Sequence, residues 1–240
     1  MLDIDAGATI GLIKFFDSKK YAEDLLNGKL FCHESGWFRK LDDSFRGDKY
    51  DGKRPINVNG KLLQWGNINA TASGVMSAGF VGDNKLPIYC LSIIDINILD
   101  KFQENTYLFK PCFVEKMKQF GKYAVLLTNY GEFVDDISEY ATSKELALTN
   151  FRVEYVDIKK EYQIDDYNNT RSLKPFFTKD IEYEYQNEIR FLWQQKDGQP
   201  LIDSKNNSIM FDLKKQMKGT ITSIDKLLTV PFVFSVKKQY

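Results

Sequence analysis

Residues Ile181–Trp193 read IEYEYQNEIRFLW, with Ile, Tyr, Tyr, Asn, Ile, Phe and Trp at the odd positions and Glu, Glu, Gln, Glu, Arg and Leu at the even ones. Successive side chains of a strand point to opposite faces, so this alternation predicts a strand across the whole stretch. Ile189, Phe191 and Trp193 would then be buried on one side, with Glu188 and Arg190 together on a polar side. Such a strand is the expected centre of the fold, and a carboxylate beside a guanidinium marks its polar face as the place to look for a site. Glu and Arg neighbours on a solvated strand are also a common structural arrangement, worth only about 0.2–1 kcal/mol with a cross-strand partner. The pair therefore locates a site without defining a reaction.

A strand of this kind needs a core to bury into. The 240 residues are 43% hydrophobic and 14% aromatic, with 18 Phe and 13 Tyr, which is enough for one α+β domain over residues 1–240. Lys plus Arg equals Asp plus Glu at 33 each, so no global field draws the chain to nucleic acid or to an anionic membrane. No run approaches the roughly 18 apolar residues of a spanning helix, and the start has neither a basic nor an apolar leader segment. A soluble, cytoplasmic protein is the expectation, with no membrane partner. Cys32, Cys90 and Cys112 are odd in number and lie near apolar runs, which predicts buried free thiols in a reducing compartment. With His33 as the single histidine and neither CxxC nor HExxH, no metal is expected.

From the N-terminus, GLIKFF reads as a strand near 12–16. Asp17 or Ser18 caps a helix near 18–27, Asn27 and Gly28 close it, and a second strand follows near 29–32. HESGWFRKLDDSFRGDKYDG is too rich in Asp and Gly for a regular element and reads as a shaped loop. Arg46 in its RGDKYDG part either faces an anionic ligand or pairs with the loop's own aspartates. Asn59-Gly60 predicts a hairpin over Ile56–Trp65, and Asn67–Asn84 reads as an irregular strand with a mobile loop. LPIYCLSIIDI predicts a buried strand near 88–96. Pro111 starts a helix near 112–120 that Gly121 ends before a strand near 122–128. Asn129 caps a helix near 131–141 whose Glu132, Asp135, Asp136 and Glu139 form a solvated face. A strand near 151–158 follows, then a polar connection through DDYNNT, the strand near 187–194, a short strand near Ser208–Leu213, a short helix around Ser223–Leu228 and a closing strand at Val230–Val236.

Three separated stretches, IKFFDSKKYAEDLLNGKLF, RGDKYDG and YQNEIRFLW, resemble in order and spacing a family of uncharacterised bacterial and phage proteins. Members begin with a Lys-aromatic strand and end near an aromatic-x-x-Glu-x-Arg strand. That family is distantly similar to the ADP-ribosyltransferase fold. The resemblance implies a mixed β-sheet flanked by helices, split as in those enzymes, with Glu188 matching their late-strand catalytic glutamate. Lys14 occupies the first-strand region where those transferases carry Arg or His, and His33 follows the second strand. No Ser-Thr-Ser triplet or positioned Tyr accompanies Leu30–Cys32. Glu188 is thus the catalytic candidate, and Arg190, Arg46, Lys14 and His33 are the ligand-binding candidates. The resemblance implies an accessory protein of a phage or mobile element that binds a host protein or a nucleotide in the host cytoplasm. The alternatives are a mono-ADP-ribosyltransferase using NAD and a structural component of a virion. No oligomeric state follows from these residues.

Overall fold

Capping and hydrophobic period place the first elements where the sequence points. Ser18 accepts from the Lys20 N–H at 3.3 Å and opens α1 (Lys19–Leu26), which links β1 (Gly11–Phe16) to β2 (Lys29–Glu34). Gly28, with φ of +79°, makes the turn between α1 and β2, and a Cβ there would run into the Lys215 carbonyl oxygen, so glycine is required. The computed structural model describes residues 9–41, 45, 47–57, 62–65, 67–71, 74–78, 85–103, 106–157, 173–198, 201–202 and 207–233.

After the single-turn helix α2 (Ser35–Phe38) come β3 (Arg54–Asn57), β4 (Leu62–Trp65), β5 (Ile68–Thr71) and β6 (Val75–Ala78). Here the structure corrects the expected hairpin, because β3 pairs with β6 and β4 with β5. Asn59 and Gly60 themselves lie outside the described residues, as do Arg46 and the DDYNNT connection. The chain continues through β7 (Pro87–Ile94), β8 (Leu99–Gln103), β9 (Thr106–Phe109), α3 (Pro111–Met117), β10 (Tyr123–Leu127), α4 (Tyr130–Ser143) and β11 (Leu146–Arg152). It ends with β12 (Glu154–Val156), β13 (Thr178–Asp180), β14 (Glu188–Gln195), β15 (Ser208–Asp212), β16 (Gly219–Ser223) and β17 (Phe232–Val233). The expected strand near 151–158 is therefore two strands that divide at the buried Val153.

The result is an α+β fold on a large sheet ordered β11-β14-β7-β1-β10-β16, with β15 joined through β2 to β7. Every described pairing in that sheet is antiparallel, where a mixed sheet was expected; the parallel pair β12 and β13 lies outside it. The strand-helix-strand unit at the N-terminus explains the difference. It points β1 and β2 the same way, but the two lie one after the other along β7 instead of side by side. Ile13 is opposite Ser92 and His33 is opposite Ile88, so the sheet forks beside Cys90. The hub is accordingly β7, while β14 sits second from an edge.

Both faces of β14 are covered. Ile189, Phe191 and Trp193 pack with Leu12, Leu91 and the α4 residues Phe133 and Ile137. On the opposite face, Leu192 joins Ile88, Phe176 and Phe177 in a smaller cluster, and α3 covers a third cluster around Ile13 and Ile94. Period two in the sequence therefore separates two buried faces, not a buried face from a wet one. Ile181–Gln186 also departs from the strand reading. It is a 3₁₀ helix opened by the Asp180 side chain, which accepts from the Glu182 N–H at 3.2 Å, and closed by Asn187 at φ of +46°. Its buried residues, Tyr183 and Gln186, are three apart, which is helical spacing. The expected acidic face of α4 is only partly solvated, because Asp136 is buried against Lys215.

Candidate functional site

Residues 47–52 fold as two successive tight turns. Asp48 Oδ1 accepts from the Tyr50 N–H at 2.8 Å, the Asp51 N–H donates to the Asp48 carbonyl at 3.0 Å, and the Lys53 N–H to the Tyr50 carbonyl at 2.8 Å. Gly52, at φ of +64°, lies against the Phe176 ring, where a Cβ would come within 2.6 Å of it. These turns aim Asp51 at β14. Its two carboxylate oxygens accept from Arg190 Nη1 and Nη2 at 3.0 and 2.8 Å, a bidentate pair in which each residue is 1% exposed. Nη1 donates also to the Phe176 carbonyl at 2.7 Å and Nη2 to Glu188 Oε2 at 3.3 Å.

The 3₁₀ helix fastens the same loop by its backbone. Tyr183 Oη donates to the Gly47 carbonyl and Gln186 Nε2 to the Phe45 carbonyl, both at 2.9 Å. The buried Lys179 ammonium donates to Gln186 Oε1 at 2.6 Å and pairs with Glu188 Oε2 at 3.2 Å. The Glu188 N–H donates to Tyr155 Oη at 2.8 Å. Segments distant in the chain thus converge on β14, whose expected polar face is the inside of an ion network.

The charges decide the protonation states. Two cations, Arg190 and Lys179, face two carboxylates, Asp51 and Glu188. Burial alone would raise the pKa of Glu188, but Lys179 and then Arg190 outweigh it and hold the group below its usual range. Asp48 is the surplus carboxylate. It is buried and its Oδ2 has no hydrogen-bond partner. Burial first, and the negative charge of Asp51 second, push its pKa up to about 6. Cys90 lies opposite Arg190 in the strand register. Burial, with the charge of Glu188 next, pushes its thiol up to about 12, which leaves it un-ionised and a poor nucleophile at neutral pH.

The five sequence candidates part company here. Glu188 and Arg190 share the network, but Arg190 is buried and its planar fork is occupied by Asp51. The Lys14 ammonium sits in the fork of the sheet, donating to the Cys90 carbonyl at 2.6 Å and lying 4.3 Å from the Tyr89 ring centroid. It adds a weaker field to the lowering of Glu188, behind Lys179 and Arg190. His33 stacks on Trp37 with ring centroids 3.7 Å apart, and burial lowers its pKa, so the ring is a neutral packing element at neutral pH. Arg46 is outside the described residues, and the partner of Asp51 is an arginine 139 positions away.

Asp48, Lys179 and Gln186 are the members that the sequence reading missed. The two aspartates three apart before a glycine were a turn signal that carried no hint of burial. Lys179 had no signal at all, since a lysine following Pro-Phe-Phe-Thr reads as an exposed residue. Cys32 is buried as expected, whereas Cys112 is exposed on the first turn of α3. Among the described residues no group of three or more His, Cys, Asp or Glu side chains could hold a metal ion, and no helix is long and apolar enough to cross a membrane. No protein-family model, curated protein or solved structure matches the chain.

Proposed function

We propose that the chain is a binding protein, an accessory factor of a phage or mobile element that engages a host protein or a nucleotide without turning it over. The observation that carries this reading is that both Nη groups of Arg190 are taken up by the chain itself. An arginine that grips a phosphate or carboxylate in turnover presents its fork to the ligand. Here the fork holds Asp51, the Phe176 carbonyl and Glu188, all from the chain itself. The network is built to fix the loop at 47–52 onto the sheet, which is what a surface recognising a partner needs. The three-part resemblance to bacterial and phage proteins supports the setting of phage–host conflict.

The second reading, transfer of ADP-ribose from NAD, is favoured by one feature of Glu188. Both of its ion pairs are made through Oε2, and the side chain is 12% exposed. An ionised carboxylate so placed is a natural acceptor for a ribose hydroxyl and a stabiliser of an oxocarbenium-like transition state. Nicotinamide release from NAD by wild type and Glu188→Gln, at matched thermal stability and with candidate host targets present, separates the two. Equal background release supports the binding protein. Release that the substitution abolishes establishes the transferase and overturns the first reading.

A further inference from the structure

We infer that β11 is an interface through which two copies of this chain pair edge to edge, antiparallel, with Thr149 on the two-fold axis. The strand ends the main sheet, and among the described residues no strand pairs with its outer side. The Val153 N–H donates to the Glu188 carbonyl at 2.9 Å. Odd-numbered residues of β11 therefore turn their backbone groups toward β14, and Leu146, Leu148, Asn150 and Arg152 turn theirs outward. Natural sheets protect such edges with lysine, proline, bulges or brevity. The strand β11 is seven residues long, without proline, and its one charge, Arg152, sits at its end and is held by Asp95 and Thr9 of the same chain, which leaves Leu146–Phe151, LALTNF, uncharged. The other edges are protected. β16 is five residues long and directly follows Lys218, and β15 carries Asp212 with its Lys214 ion pair.

Self-pairing about Thr149 fits the side chains as well as the backbone. In that register Leu148 faces Asn150, Leu146 faces Arg152, and Thr149 faces its own copy, so the outward-turned residues are the ones that exchange hydrogen bonds. Ala147 faces Phe151, the smallest side chain of the strand against the largest. Phe151 is 61% exposed and anchored on one side only, by an edge-on contact with Phe177 at 5.3 Å between centroids. The two copies of Arg152 fall at opposite ends of the paired strands, and each is engaged by Asp95 and Thr9 of its own chain, so like charges do not meet across the axis.

Sedimentation equilibrium of the whole chain across the micromolar range tests this. Wild type should show a reversible monomer–dimer equilibrium. Thr149→Lys and Thr149→Asp each place two like charges on the axis and should weaken dimerisation at least about tenfold, whereas an equimolar mixture of the two should restore it, because unlike charges then meet. Phe151→Asp, at an exposed position that folding does not need, should weaken dimerisation similarly and guards against a folding defect at Thr149. A wild type that stays monomeric overturns the inference, as an edge meant for a strand of another protein would produce. A dimer indifferent to all three substitutions overturns it as well, by placing the contact elsewhere.

Discussion

Asp48→Asn should make the protein more stable at neutral pH, although it removes a charge from an ion network. In the folded chain the Asp48 carboxyl is buried beside Asp51, its Oδ2 has no partner, and its pKa stands at about 6 against an ordinary 3.8. Because the folded state holds this proton more tightly than the unfolded chain, the favourable contribution is complete below the ordinary value and is lost as pH rises toward about 6. At neutral pH the folded state bears the full cost of an ionised buried carboxylate, about 3 kcal/mol for a rise of this size. Asparagine keeps the oxygen that accepts from the Tyr50 N–H and never ionises. For a chain of this length, 3 kcal/mol corresponds to a Tm increase of about 6–12 °C. Glu188 acts in the opposite sense, since its lowered pKa contributes stability that is lost as pH falls through that pKa, but this contribution is common to both proteins. The assay is therefore the difference in Tm between variant and wild type from about pH 4 to about pH 8. It should be small at the acid end, grow between about pH 4 and about pH 6, and level off above that. A difference that does not change with pH, or a variant less stable at neutral pH, would refute the assignment of Asp48 as the surplus carboxylate.

Asp51→Ala should cost about 3–5 kcal/mol in chemical denaturation, because it strands a buried guanidinium, and adding Arg190→Met should recover much of that loss. Equal or greater destabilisation in the double variant would show that the pair contributes more than charge compensation. Trp193→Ala should cost about 3–5 kcal/mol by opening a cavity where the indole packs 4.9 Å from the Phe211 ring centroid; an unchanged thermal melt would contradict the core placement.

What the sequence could convey about this fold depended on the range of the interaction involved. The cap at Ser18, the closure at Gly28, Pro111 at the head of α3 and Asn129 at the head of α4 are contacts within a few residues, and each was legible. The burial of Ile189, Phe191 and Trp193 was legible as well, since period two survives whatever covers the strand. Whether the opposite face was wet or dry was not, because that depends on a loop 139 residues upstream. Arg190 was for that reason read as a surface residue. At Ile181–Gln186 the alternation misled for a different cause: Tyr183 and Gln186 also satisfy a three-residue repeat, and the Asp180 cap and the left-handed Asn187 decide in favour of the 3₁₀ helix.

A buried ion network is a poor device for stability alone, because desolvation consumes most of the attraction and well-packed apolar residues serve about as well. Its distinctive property is direction. The guanidinium of Arg190 accepts a carboxylate in one plane and at one pair of distances, and Asp51 meets it only if the turns at 47–52 are closed. Tyr183, Gln186 and Lys179 then hold the same loop from the other side. The network thus removes Arg190 from direct service to a ligand and at the same time removes freedom from the loop. What that loop turns outward is Lys49, exposed, with its ammonium 4.8 Å from the Tyr50 ring centroid. On the proposed binding reading, turns that hold the backbone at Lys49 and Tyr50 in one conformation would lower the entropy lost on docking, the advantage that a rigid surface has over a mobile one.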